Sequence, residues 1–311
     1  MSLLIYKLII KKATYFSYNE IMDFRKIQAL TGTLISGLTA LQFFDRMADE
    51  DTDLDLYVEH THASTIALWI QSIGYIYVPK KKSCPETLEM ALKKKPKYRI
   101  NQGYCYTVAI FDFKKTNHPP IHVITCKGPA IEMVLDLEHS KSSLLPNILF
   151  TNIISACTMN FITHNKAYSL YPRATFLEGR SVVLRGYDTG RVMYATQGWQ
   201  QLETLTIAES RDFTSSFSMG SRRIGDHKCW TITLPPTSNS IIDSKEDYID
   251  SNTWTLHHRG PTHGQIPLMH LWAIVKDDKI LKNIYVLDTH SLSKSTRFLK
   301  SIKDSEHYGE R

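Results

Sequence analysis

Cysteine is scarce and scattered in this chain: five residues, Cys84, Cys105, Cys126, Cys157 and Cys229, with no Cys-x-x-Cys pair. An odd, dispersed set makes neither a disulfide framework nor a thiolate zinc site, and it fits a reducing compartment. Long apolar runs are missing as well. The stretch Leu3 to Ile10 is broken by Lys7 and falls short of the about 20 residues that a membrane helix needs. Only the amino terminus supplies positive charge ahead of it, and no small-residue cleavage site follows. The expectation is therefore no signal peptide, no membrane partner and a cytoplasmic location. Phosphate-binding P-loops, dinucleotide fingerprints and serine nucleophile elbows are absent, as are internal repeats. Charge is nearly balanced, 37 Lys plus Arg against 31 Asp plus Glu. That mild basic excess is compatible with phosphate-bearing partners without being a nucleic-acid footprint. At 311 residues, 42% of them hydrophobic, the chain can bury one large core or two ordinary ones.

What is present centres on Leu34 to Asp45 followed by Asp51 to Val58. The order reads as strand, glycine turn, short helix, and a second strand carrying Asp53 and Asp55. Residues two apart on a strand point to one face, so the two carboxylates project together while Leu54 and Leu56 face the other way. Paired carboxylates at this spacing suit hard divalent cations such as Mg²⁺. The turn at Gly37 brings backbone N–H groups toward an anion. The pattern describes a metal-plus-phosphate site, with both carboxylates opening into a cleft near Gly37.

A glycine, a short helix and then Asp-x-Asp on a strand resembles the nucleotidyltransferase fold, the superfamily that includes DNA polymerase β. The run Thr33 to Phe43, continued by Thr52 to Val58, is similar to nucleotidyltransferase-like proteins of fungi, as are Met159 to Ile162 and Tyr168 to Pro172. The likeness covers the first half of the chain well and the second half thinly. It implies metal-dependent transfer of a nucleotide from an NTP to an acceptor, whether nucleic acid, protein or small molecule. By the same resemblance Asp53 and Asp55 are the catalytic, metal-holding residues (Mg²⁺ or Mn²⁺), and Ser36, Gly37 and Thr39 contact the phosphates. The family places Gly-Ser or Gly-Gly at the turn, where this chain has Gly37-Leu38. It also places a third carboxylate on a neighbouring strand, where this chain offers His122, with Asp112 on the preceding strand as the nearest substitute. A neutral His122 as third metal ligand would favour Mn²⁺ over Mg²⁺. The alternative is a non-catalytic binding protein that retains the fold in degenerate form.

Along the chain, Ser17 with Glu20 predicts a capping box for a helix over 18–31, with Ile21, Phe24, Ile27 and Leu30 at helical spacing and Gly32 as its stop. Ala63 to Ile73 predicts a second helix, stopped by Gly74, and Tyr75 to Pro79 a strand. Lys80–Lys82 and Lys93–Lys97 flank a helix beginning near Pro85 and read as solvated ends. Strands are expected at Tyr104 to Phe113 and Ile121 to Thr125, joined through Asn117 to Pro120. Ile131 to Phe161 reads as helical, with Pro146 starting or interrupting a helix. A boundary falls within Asn165 to Arg180, dividing residues 1–170, a nucleotidyltransferase-like domain with a helical extension, from 171–311, a smaller β-rich module. Its strands are expected at Cys229 to Leu234, Thr253 to His257, Leu268 to Val275 and Asn283 to Leu287. His257, His258, His263 and His270 match no zinc spacing and read as surface residues around a Gly-Pro turn, and His60 and His62 as loop residues. The fold class is α+β, a nucleotidyltransferase-like mixed sheet with flanking helices plus the C-terminal β-rich module.

Overall fold

Ser17 and Glu20 start the first helix as their spacing predicts. The Glu20 N–H donates to Ser17 Oγ at 3.4 Å and the Ser17 N–H donates to the Glu20 carboxylate at 2.6 Å. Helix α1 then runs Tyr18–Thr31 until Gly32 turns left-handed at φ 66°. Its buried stripe differs from the expected one. At about 100° per residue, Leu30 sits half a turn round from Ile21, and it is 65% exposed. Arg25 and Gln28 turn inward instead. Arg25 Nε donates to the His164 carbonyl at 2.7 Å, and Gln28 Nε2 donates to the carbonyls of Thr33 and Ile162, each at 3.2 Å. The helix is thus tied to the strands by hydrogen bonds as well as by Phe24.

The computed structural model describes residues 15–46, 52–80, 84–94, 107–135, 154–185, 194–203, 205–217, 220–237, 248–258, 269–276 and 284–286. Their architecture is mixed α+β. After α1 come β1 (Leu34–Ser36), α2 (Gly37–Asp45), β2 (Leu54–Glu59), α3 (Ala63–Ser72), β3 (Ile76–Val78), α4 (Leu88–Lys93), β4 (Thr107–Lys115), β5 (His118–Cys126) and α5 (Ala130–Leu135). Then follow β6 (Ile154–Ser155), β7 (Asn160–Ile162), β8 (Lys166–Ser169), β9 (Arg180–Arg185), β10 (Gln200–Leu202), β11 (Gly220–Arg223), β12 (Trp230–Thr233), β13 (Thr253–His258), β14 (Met269–Lys276) and β15 (Ile284–Val286). The large sheet has the order β12-β8-β7-β1-β2-β5-β4-β3. It is parallel at β2–β5 and antiparallel at every other pairing.

Alternation divides its side chains between two cores. Ile35, Leu54, Leu56, Val58, Ile121 and Val123 pack with Phe24 of α1 and with Ile66 and Ile70 of α3. On the other face Leu34, Tyr57, Phe161 and Tyr168 pack with Ile131 and Val134 of α5 and with Trp254 and Leu256 of β13. Strand β13 belongs to a second sheet of order β11-β13-β14-β15, so α5 lies between the two sheets.

Two expectations are corrected. Within the described part of Ile131 to Phe161, the helical reading holds for α5 and for a 3₁₀ turn at Ala156–Thr158. Asn160–Ile162 is a strand between β1 and β8, because its short apolar run carries strand pairing as readily as helical spacing; Pro146 lies outside the described residues. The connection expected over Asn117 to Pro120 is tighter, because Lys115 pairs directly with His118. Asn117 takes the left-handed position at φ 59°, which asparagine tolerates, and Pro119 and Pro120 belong to β5.

Between β11 and β12 the chain leaves one sheet and enters the other, and Arg222 holds this corner. Its Nε and Nη2 donate to the two Asp226 carboxylate oxygens at 3.0 and 2.8 Å, and Nη1 donates to the Leu170 carbonyl at 2.9 Å. The guanidinium lies 4.7 Å from the Trp254 ring centre and 5.2 Å from that of Tyr171. Arg222→Ala leaves the Asp226 carboxylate without its fork and two rings without their cation. It should cost about 3 kcal/mol in urea unfolding, and Arg222→Lys should restore less than half, because one ammonium cannot replace the planar fork. A loss under about 1 kcal/mol for Arg222→Ala contradicts this account of the corner.

Candidate active site

Strand β1 ends at Ser36, and Gly37 turns the chain into α2 with φ 72°. Only glycine fits there. A Cβ at Gly37 would stand 2.8 Å from Asp55 Oδ2, in a backbone conformation that other residues enter at a cost. Across the sheet Ser36 pairs with Asp55, Asp55 with His122, and His122 with Asp112. Directly paired residues share a face, so Asp55, His122 and Asp112 stand side by side on three strands. Asp53 lies just ahead of β2, two residues from Asp55, and its Oδ2 is 3.1 Å from His122 Nε2. The other ring nitrogen, Nδ1, is 2.8 Å from Asp112 Oδ1, and Lys80 Nζ is 3.3 Å from that same oxygen. Leu54 and Leu56 are buried on the opposite face, as the alternation predicts.

The row is electrostatically crowded. Burial pushes the Asp55 carboxyl up to about 6 from 3.8, opposed by the charge of His122 and reinforced by Asp53. Burial alone would lower the His122 imidazole, but hydrogen bonds to Asp112 and Asp53 and the field of Asp55 outweigh it, raising the ring to about 9. At neutral pH His122 is therefore an imidazolium donating to a carboxylate on each side. The chain of charges runs Asp53, His122, Asp112, Lys80, alternating in sign.

The structure brings Asp53, Asp55, His122 and Gly37 together. Ser36 and Thr39 are near but occupied: Ser36 Oγ donates to the Asn160 carbonyl at 2.8 Å and Thr39 Oγ1 to the Asp53 carbonyl at 2.9 Å. Both hydroxyls support the loop and turn, leaving backbone N–H groups at the start of α2 to meet an anion. Sequence reading missed the supports of Thr52, whose carbonyl accepts from Tyr15 Oη and whose hydroxyl accepts from Gln42 Nε2 at 2.9 Å. It also missed Lys80, whose signal was its place straight after β3. His60 and His62 form a 3₁₀ turn after β2, with His60 Nδ1 3.0 Å from Thr125 Oγ1. His257 pairs with His270 across β13 and β14, while His263 lies outside the described residues. A cleft of about 430 Å³ lies elsewhere, lined by Arg173, Arg180, Glu209 and Asp212 among others.

As donors for a cation, Asp53, whose side chain is 50% exposed, and Asp55 offer hard carboxylate oxygens, a set that fits one divalent ion. His122 offers no lone pair while both nitrogens donate to carboxylates. Among the described residues no group of three or more His, Cys, Asp or Glu is arranged to hold a metal. Comparison of the chain with protein-family models, with curated proteins and with solved structures finds no match.

Gly37→Ala should destabilise the protein by about 2 kcal/mol, through the left-handed backbone and the contact with Asp55. Adding Asp55→Ala should recover only the contact part, so a double-mutant cycle by urea unfolding should show coupling of about 1 kcal/mol; strict additivity contradicts the close approach. The raised Asp55 pKa makes a second prediction. The folded protein holds that proton more tightly than the unfolded chain, so its stabilising contribution is complete below about pH 4 and is lost as pH rises through about 6. In EDTA, Asp55→Asn should therefore gain about 3 kcal/mol at pH 7 and flatten the fall in stability between pH 4 and 6. Thermal melts across that range check it, and a variant less stable than the parent at pH 7 contradicts it.

Proposed function

We propose that the chain has a nucleotidyltransferase-like fold and binds a nucleoside triphosphate through one divalent cation at Asp53 and Asp55, transferring the nucleotide to an acceptor hydroxyl. The observation that carries this reading is the approach of the Asp55 carboxylate to Gly37 at the start of α2. It puts a pair of hard oxygen donors beside the backbone of a helix N-terminus, the two halves of a metal–phosphate site. When bound there, a divalent cation would offset charge on the triphosphate and on the departing pyrophosphate. The protein's own groups do the rest. Backbone N–H groups of the Gly37 turn meet phosphate oxygens, and Lys80 adds positive charge at the far end of the row. Asp112 holds the His122 ring so that Nε2 faces Asp53.

A second reading, a non-catalytic nucleotide-binding protein, is favoured by one feature: His122 ties Asp53 to Asp112 and supplies a cation where the resembled family has a carboxylate. Calorimetry with Mg²⁺ or Mn²⁺ and each NTP, paired with an assay of nucleotide incorporation into nucleic acid, protein and small-molecule acceptors, separates the two. The expected result is metal-dependent NTP binding that is abolished by Asp53→Asn with Asp55→Asn while the fold remains intact. Binding without incorporation selects the second reading. Absence of NTP binding with either metal overturns both.

A further inference from the structure

Against Leu38 and Leu41, just after the Gly37 turn, stands a group of aromatic rings that the phosphate site does not use. Leu38 and Leu41 of α2 pack with Tyr194, Phe176 and Trp199. Tyr194 is buried, and its hydroxyl lies within the field of the Asp55 carboxylate. Trp199 meets it edge to face, with ring centres 6.5 Å apart. Every polar group of Trp199 is already bonded within the protein. Its backbone N–H donates to the Tyr194 carbonyl at 3.1 Å, its indole Nε1 donates to the Thr175 carbonyl at 2.9 Å, and its carbonyl accepts from Gln201 Nε2 at 3.3 Å. The residue is half-buried, and these bonds hold its ring in place.

The Thr175 carbonyl that anchors the indole belongs to an unusual element. Arg173–Leu177 is a π-turn, closed by the Glu178 N–H donating to the Arg173 carbonyl at 3.0 Å, a geometry frequently found at functional sites. It also sets Phe176 against Trp230, stacked at 5.5 Å. Trp230 is more open, 38% exposed, but it lies on β12, three strand spacings or about 14 Å from β1. The strand registers also put it on the face of Ile162 and Ile35, opposite to that of Ser36 and Asp55. Trp199 packs on the same cluster as Leu38, the residue that follows Gly37.

We infer that Trp199 is the platform on which the base of the bound nucleotide stacks, with its phosphates at the Gly37 turn. The inference rests on the nucleotide reading above and adds the nucleoside subsite to it. Flat aromatic surface recognises any base, purines more strongly because they cover more of it, and without a hydrogen-bonding edge the site selects weakly among the four.

The test uses the full chain with Mn²⁺ and two probes, an NTP and inorganic tripolyphosphate, measured by calorimetry. The expected result is that Trp199→Ala weakens ATP and GTP about tenfold or more, leaves tripolyphosphate binding within about twofold, and that Trp199→Phe retains most of the nucleotide affinity. Because Trp199 also packs on Tyr194, a second measurement needs only the parent fold. 5-Fluorotryptophan labelling gives ¹⁹F resonances for the five tryptophans, and Trp199→Phe assigns that of Trp199. It should shift with ATP and stay in place with tripolyphosphate. Equal ATP affinity in the parent and Trp199→Ala, or a Trp199 resonance that responds alike to both probes, overturns the subsite while leaving the phosphate site standing. If neither probe binds, the nucleotide reading fails and the subsite with it.

Discussion

Carboxylates that flank one strand of a sheet, about 10 Å apart at the backbone, repel one another more strongly the less water reaches them. This row carries such a pair, Asp55 on β2 and Asp112 on β4, with Asp53 just ahead of it. His122 stands where the repulsion is greatest. Paired in register with Asp55 on one side and Asp112 on the other, it keeps its proton at neutral pH and converts a stack of like charges into an alternating one. The alternation extends outward to Lys80. The state of this one ring therefore governs how much negative charge the mouth of the site presents.

The frame around the row is stiff where it needs to be. Asp53 has a half-exposed carboxylate, yet its backbone carbonyl is fixed by Thr39 of α2, and its neighbour Thr52 is fixed by Tyr15 and by Gln42 of α2. Helix α2 thus clasps the entry to β2 from above while the Gly37 turn clasps Asp55 from the side. An exposed carboxylate on a fixed backbone can meet a ligand without ordering a loop first.

Much of this was legible in the residues. The capping box and the strand–turn–helix–strand order around Gly37 follow from short-range rules, and the strands expected beyond residue 220 occur nearly where the sequence puts them, whereas Asp53, expected on the strand, lies one residue ahead of it. The failures have physical causes. Leu30 was assigned inward by counting threes, which drift round a 3.6-residue helix until the ninth residue faces the opposite way. The helical expectation over Ile131 to Phe161 runs into the strand Asn160–Ile162, because two apolar residues beside one asparagine cannot declare a period. Ser36 and Thr39 keep the identities expected of phosphate-contacting residues, but their hydroxyls are engaged by carbonyls from Asn160 and Asp53, partners set by tertiary folding. The Asp112–His122 bond and the arrival of Lys80 depend on the register of β3, β4 and β5, which no local pattern reports.

The crossing from β11 to β12 bears on how the molecule is made. One border strand of the large sheet, Trp230–Thr233, comes from the later part of the chain and lies against Lys166–Ser169. As the polypeptide leaves the ribosome, that border stays open while some sixty further residues are synthesised, with the backbone groups of β8 unmatched and able to pair with a foreign strand. Closure arrives with the segment whose Arg222–Asp226 pair turns the corner. A chaperone that shields an extended edge during that interval would matter more to this protein than to one whose sheet completes itself locally.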